Sequence, residues 1–79
     1  MLLEIITPDK KLFEGEVSSV SVPGTSGRFQ MLNRHAPIIS ALKKGKIKVK
    51  TAQGIQQFDV SGGVVEMNKN KIIVLAETN

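Results

Sequence analysis

Over most of this chain apolar and polar residues alternate with a period of two, and Gly, Pro, Asn and Asp interrupt the alternation at short intervals. Residues 46–51 show it most clearly: Ile47, Val49 and Thr51 fall on one side, Lys46, Lys48 and Lys50 on the other. That is the pattern of a strand with one buried face. Ala52-Gln53-Gly54 closes a hairpin onto residues 55–60, and Ser61-Gly62-Gly63 turns the chain again. Residues 64–67 and 71–76 then pair through Asn68-Lys69-Asn70.

Upstream, residues 2–7 are rich in β-branched side chains and stop at Pro8, where Pro8-Asp9-Lys10-Lys11 makes a turn. Residues 12–15 form a short extended piece. In residues 16–22, Val20 and Val22 alternate with Ser19 and Ser21 while Val17 is out of phase, which predicts a bulge near Ser18-Ser19. Pro23-Gly24-Thr25-Ser26-Gly27 is turn chemistry throughout and is expected to protrude. Residues 28–32 read as a short strand and Asn33-Arg34-His35 as irregular. Residues 38–42 stay open: Pro37 and Gly45 would suit the ends of a short helix, whereas Ile38-Ile39 and the short length suit a strand. Val20, Val22 and residues 72–75 are expected in the core. Eight or nine short strands and no amphipathic helix of three turns make an all-β domain, a sandwich or flattened barrel.

Composition narrows this a little. Seventy-nine residues make one domain, spanning 1–79. With no cysteine, neither disulfide nor thiolate metal site can supplement the core, and a 41% hydrophobic content has to suffice. The amino terminus has no basic leader region, its apolar run is broken by Glu4, and no stretch approaches the roughly 20 apolar residues of a membrane-spanning helix. Any membrane role therefore runs through partners.

The chemistry of catalysis is missing. Gly45-Lys46 is followed by Ile47 and lacks the glycine of a phosphate-binding loop at position 40, which is Ser40. The acids Glu4, Asp9, Glu14, Glu16, Asp59, Glu66 and Glu77 are scattered, so no metal site is expected, and His35 has no local serine and acid for a triad. His35 either fixes nearby backbone or faces a protein partner, in which case the contact would be pH-sensitive. A net charge of +4 and the lysines at 43, 44, 46, 48 and 50 invite a nucleic-acid reading. Without tryptophan or tyrosine to stack bases, the lysines are better explained as a solvated strand face that discourages edge pairing. Thr25-Ser26-Gly27-Arg28 differs: small residues at an exposed turn can bring backbone close to another protein.

Gly27, Phe29, Met31, Leu32, then His35-Ala36-Pro37-Ile38-Ile39, Leu42 and Gly45 resemble the epsilon subunit of F-type ATP synthases. Ser61-Gly62-Gly63-Val64-Val65-Glu66, Ile72-Ile73-Val74-Leu75-Ala76-Glu77, Thr7-Pro8 and Phe13-Glu14-Gly15 fall at that family's spacing. The resemblance implies a two-sheet β-sandwich of about ten short strands, with residues 38–42 as strand. It implies a noncatalytic central-stalk role that couples the gamma shaft to the membrane c-ring, with no cofactor or small-molecule ligand. It implies a peripheral position on the cytoplasmic side of a bacterial inner membrane. By position, Thr7, His35, Ala36, Pro37 and Ser40 fall on the side that meets gamma, and Ser26, Gly27, Arg28 and Phe29 at the end that meets the c-ring. Gln30, Asn33-Arg34 and Arg28 depart from the family's usual glycine, turn pair and glutamate. Most members continue into a two-helix inhibitory arm; this sequence stops at Asn79, so coupling without that arm and without ATP binding is expected. The alternative from another class is a small basic nucleic-acid-binding β-barrel.

Overall fold

A computed structural model describes residues 1–78 and contains nine strands: β1 (Leu2–Ile6), β2 (Lys11–Glu16), β3 (Ser19–Gly24), β4 (Gly27–Leu32), β5 (Ile38–Leu42), β6 (Gly45–Thr51), β7 (Gly54–Val60), β8 (Gly62–Asn68) and β9 (Lys71–Glu77). Residues 38–42 are a strand, and no helix occurs among the described residues. Hydrogen bonding runs β2-β1-β9-β8-β5 in one layer and β4-β3-β6-β7 in the other. The two layers, here the first and second sheets, join where Gly24 of β3 faces Leu42 of β5. The sandwich is therefore one continuous sheet folded over at that corner. Among the described residues only β1 and β9 run parallel.

The strands exist because their alternate residues have a common interior to fill. Leu3, Ile5, Val65, Met67, Ile72 and Val74 point inward from the first sheet, and Val20, Val22, Met31, Ile47 and Val49 from the second; all are fully buried. On the open side, Phe13 of β2 and Phe58 of β7 meet edge to face, 5.9 Å between ring centres, and close the gap between the two outermost strands.

The connections are tighter than the turn residues suggested. The out-of-phase Val17 marks a crossing between layers, not a bulge: its N–H donates to the Met1 carbonyl of the first sheet, and the next N–H, of Ser18, to the Lys50 carbonyl of the second. The irregularity in pairing lies instead in β1–β2, between Ile5 and Ile6. Pro23 and Gly24 are buried within β3, so the tip is only Thr25-Ser26, a two-residue hairpin between Gly24 and Gly27. Ser61 alone carries the chain from β7 in one layer to β8 in the other, its N–H held by the Glu77 carbonyl at 2.7 Å. Gly63 in β8 adopts φ 139°, and a Cβ there would lie 2.2 Å from the Leu75 carbonyl oxygen, so only glycine fits. The β8–β9 hairpin turns through Lys69 and Asn70 at φ 51° and 62°, the paired left-handed conformation that matches strand twist.

Candidate functional site

The outward face of the first sheet is largely apolar. Strand register sets Ile6, Leu75, Val64 and Ala41 in one row across β1-β9-β8-β5 and Glu4, Ile73, Glu66 and Ile39 in the next. Ile39 is 71% exposed, Leu75 57% and Val64 42%, so three large side chains on one patch remain open to solvent. Leu75 and the half-buried Ile73 are thus not core, contrary to the reading of residues 72–75 as interior. The sequence carried the signal: Ile72-Ile73-Val74-Leu75 is apolar at both parities, as in a strand with both faces covered.

Glu4 closes the patch on the β1 side. Lys11 and Lys71 reach its two carboxylate oxygens at 3.2 and 3.3 Å, and Lys11 also meets Glu14 at 3.2 Å. Hydrogen bonds from Lys11 and then Lys71 hold the Glu4 carboxyl below its ordinary range, while those that Lys11 donates to Glu14 and Glu4 raise its ammonium.

Thr7, His35, Ala36, Pro37 and Ser40 are not gathered into one cluster. Thr7 is buried at the Ile6 end of the sheet, where its hydroxyl donates to the Lys10 carbonyl at 2.9 Å and accepts from the Lys10 N–H at 3.1 Å. Its side chain is committed to the β1–β2 turn. His35, Ala36 and Pro37 are exposed at the opposite end, beyond Ile38, where the Asn70 side chain ties down Asn33 and the Arg34 N–H at 2.8 and 2.9 Å. His35 Nδ1 sits 2.7 Å from the Ala36 carbonyl. A carbonyl only accepts, so Nδ1 donates. Ser40 lies between these ends but pairs with buried Val65, on the inward side of β5, and its hydroxyl donates to the Ala41 carbonyl at 3.0 Å.

The hairpin tip stands at the Thr7 end. Thr25 N–H donates to the Ala41 carbonyl at 3.0 Å, anchoring the tip on β5. Gly27 takes φ 130°, and a Cβ on Gly24 would meet the Gly27 carbonyl and the Phe29 ring below 3 Å, so both glycines are required by the turn. Of the ring-facing candidates, Ser26 and Gly27 are exposed at the tip, whereas half-buried Phe29 packs against the core. Arg28 turns back over the outer face of the second sheet, donating to Ser21 Oγ at 2.9 Å and to the Lys46 carbonyl.

Lys46, Lys48 and Lys50 project from the same face. Their strand, β6, lies between β3 and β7, so they guard no edge, and that part of the sequence reading is corrected. With Arg28 and the Lys43-Lys44 connection they place six of the eleven cations beside a single acid, Asp59, which pairs with Lys46 at 2.8 Å. Among the described residues no group of three His, Asp or Glu could hold a metal ion, and no helix is long and apolar enough to cross a membrane.

Comparison with known proteins agrees with this architecture. The family model described as ATP synthase, Delta/Epsilon chain, beta-sandwich domain matches residues 1–79. The ATP synthase epsilon chain of Chlorobaculum tepidum is 43% identical over 76 residues, covering 95% of this chain and 86% of the relative. That of Maridesulfovibrio salexigens is 42% identical over 77 residues, and there the match covers 98% of this chain but 54% of the relative. Among solved structures, a chain of the Euglena gracilis mitochondrial ATP synthase superposes with a TM-score of 0.86 at 21% identity, over 94% of this chain and 48% of that one. A chain of the Tetrahymena thermophila mitochondrial ATP synthase central stalk and c-ring gives 0.79 at 18% identity, over 96% of this chain and 62% of that one. At those identities the structural likeness concerns the fold. The family model and the relatives together show that this chain belongs to the ATP synthase epsilon-chain family, as its β-sandwich domain.

Proposed function

We propose that residues 1–79 act as one noncatalytic coupling unit in the rotor of a proton-translocating ATP synthase. In this reading the apolar face of the first sheet docks on the gamma shaft and the Thr25-Ser26 hairpin end meets the polar loops of the c-ring. The observation that carries it is the coexistence of two different surfaces on one close-packed body: an exposed apolar patch on a face, and a small polar tip at an end. Strands of five to seven residues separate the tip from the His35 end by roughly 20 Å. A packed interior transmits strain across that length with little deformation, which torque transfer requires. The Tetrahymena neighbour, described as central stalk and c-ring, supports a role in the rotor.

The residues divide accordingly. His35, Ala36 and Pro37 contact gamma at the far end of the sheet, and Ile39, Val64, Ile73 and Leu75 supply the buried area between. Ser40 and Thr7 shape this side through backbone bonds, Thr7 by fixing the Pro8–Lys10 turn. Ser26 and Gly27 bring backbone close to the ring, Phe29 braces the hairpin from within, and Arg28 gives the tip a positive flank. The complex is membrane-associated; its place on the cytoplasmic side of a bacterial inner membrane belongs to the proposal. The test is co-purification with gamma and the c-ring, with Val64→Ser expected to lose gamma and Ser26→Trp expected to lose the ring.

The cation-rich face of the second sheet favours one other reading, nucleic-acid binding. Salt-sensitive retention on RNA, with no affinity for gamma, would select it.

A further inference from the structure

Glu66 stands in the middle of the apolar face. Its cross-strand neighbours are Ile39 on β5 and Ile73 on β9, and Val64 and Leu75 lie one outward-facing row away. These five residues line a dimple of about 220 Å³. Among the described residues Glu66 has no ion pair, and the next acid on the face, Glu4, already holds Lys11 and Lys71. Neither lysine therefore serves Glu66. A partner that covers Ile39, Val64 and Leu75 also takes the Glu66 carboxylate out of water, and an unpaired buried carboxylate is too costly to leave.

We propose that this dimple is a socket for one basic side chain, arginine by preference, presented by the gamma chain. The inference rests on the docking reading above and deepens it. The aliphatic stem packs on Ile39, Val64, Ile73 and Leu75, and the guanidinium meets Glu66 in a two-pronged hydrogen bond. The socket supplies direction that an apolar patch lacks: a single buried ion pair fixes which way gamma lies across the sheet. It also distinguishes gamma from other apolar surfaces without a matching cation.

The test titrates the gamma chain of the same ATP synthase into this chain and into its Glu66→Gln, Glu66→Lys, Val64→Ser and Asp59→Asn variants, at low and high salt. Asp59 lies on the opposite sheet and serves as the equal-charge control. Glu66 is exposed, so its variants keep the wild-type urea midpoint, which is measured alongside. The socket predicts that Glu66→Gln weakens binding about 30-fold and flattens the salt dependence, that Glu66→Lys weakens it further, and that Asp59→Asn stays within about twofold. Binding lost with Val64→Ser but kept within about twofold by Glu66→Gln overturns the socket and leaves the docking face standing. Wild-type chain that does not bind gamma, or binding indifferent to Val64→Ser, overturns the docking reading and the socket with it.

Discussion

Two leucine-like positions three residues apart on β9 separate folding from docking. Ile72 is fully buried and Leu75 is 57% exposed on the outer face. Replacing Ile72 by alanine leaves a cavity in a small core and should cost about 2–5 kcal/mol of stability. For a domain of this size that lowers the melting midpoint by more than about 8 °C. Leu75→Ser should change stability by no more than about 0.5 kcal/mol, because its side chain already faces water. Its effect belongs to docking. Fully burying a leucine is worth about 1.5–3 kcal/mol, and a little over half of that remains to be gained at Leu75, about 1–2 kcal/mol. Gamma affinity should therefore fall about 5- to 30-fold. Urea titration and calorimetric binding to gamma measure the two quantities on the same protein. Leu75→Ser that unfolds the chain as Ile72→Ala does, while leaving gamma affinity untouched, would refute the assignment of this face.

Gly63→Ala forces a Cβ against the Leu75 carbonyl at a φ that alanine avoids, so it should destabilise by at least about 2 kcal/mol in urea titration, although the added methyl is small. The Glu4 carboxyl is held below its ordinary value of 4.5, so its contribution to stability is complete above that value and disappears as pH falls through the lower, folded-state pKa. Glu4→Gln should therefore lower stability at neutral pH by the small amount this exposed pair supplies, and flatten the acid limb below about pH 4.5, where variant and wild type converge. Lys11 gives the mirror image: its raised pKa makes a contribution that is complete below 10.5 and is lost as pH rises through the folded-state value. Arg28→Glu removes the donors to Ser21 and to the Lys46 carbonyl and reverses charge beside the tip. Association with the c-ring should weaken in a pull-down; tighter association would mean that Arg28 opposes ring contact.

Period-two patterning located eight of the nine strands, because one face of each buries its alternate residues and polar turns separate them; it left residues 38–42 open between helix and strand, and the family resemblance pointed to the strand that is found. It failed where a residue's fate depends on a neighbour in space. Val17 looked like a bulge because sequence does not show that the chain changes sheets there. Pro23 and Gly24 looked like turn because their burial against Gly45 and Phe29 comes from strands downstream. The lysines of β6 looked like edge protection until β7 proved to lie outside them. The site was the least legible. The resemblance places Thr7 on the gamma-facing side by position, and its side chain is committed to its own turn, whereas Glu66, Val64 and Leu75 face outward together only once β8 and β9 are in register.

The chain has no cysteine, so single introduced thiols report unambiguously on what each surface touches. Cross-linking of the Ser26→Cys and Ile39→Cys variants within the assembled ATP synthase tests the central claim most directly. Ser26→Cys should join only to the c-ring and Ile39→Cys only to gamma. Thiol adducts in the reverse pattern, or none from either position in an active complex, would contradict a body clamped between shaft and ring.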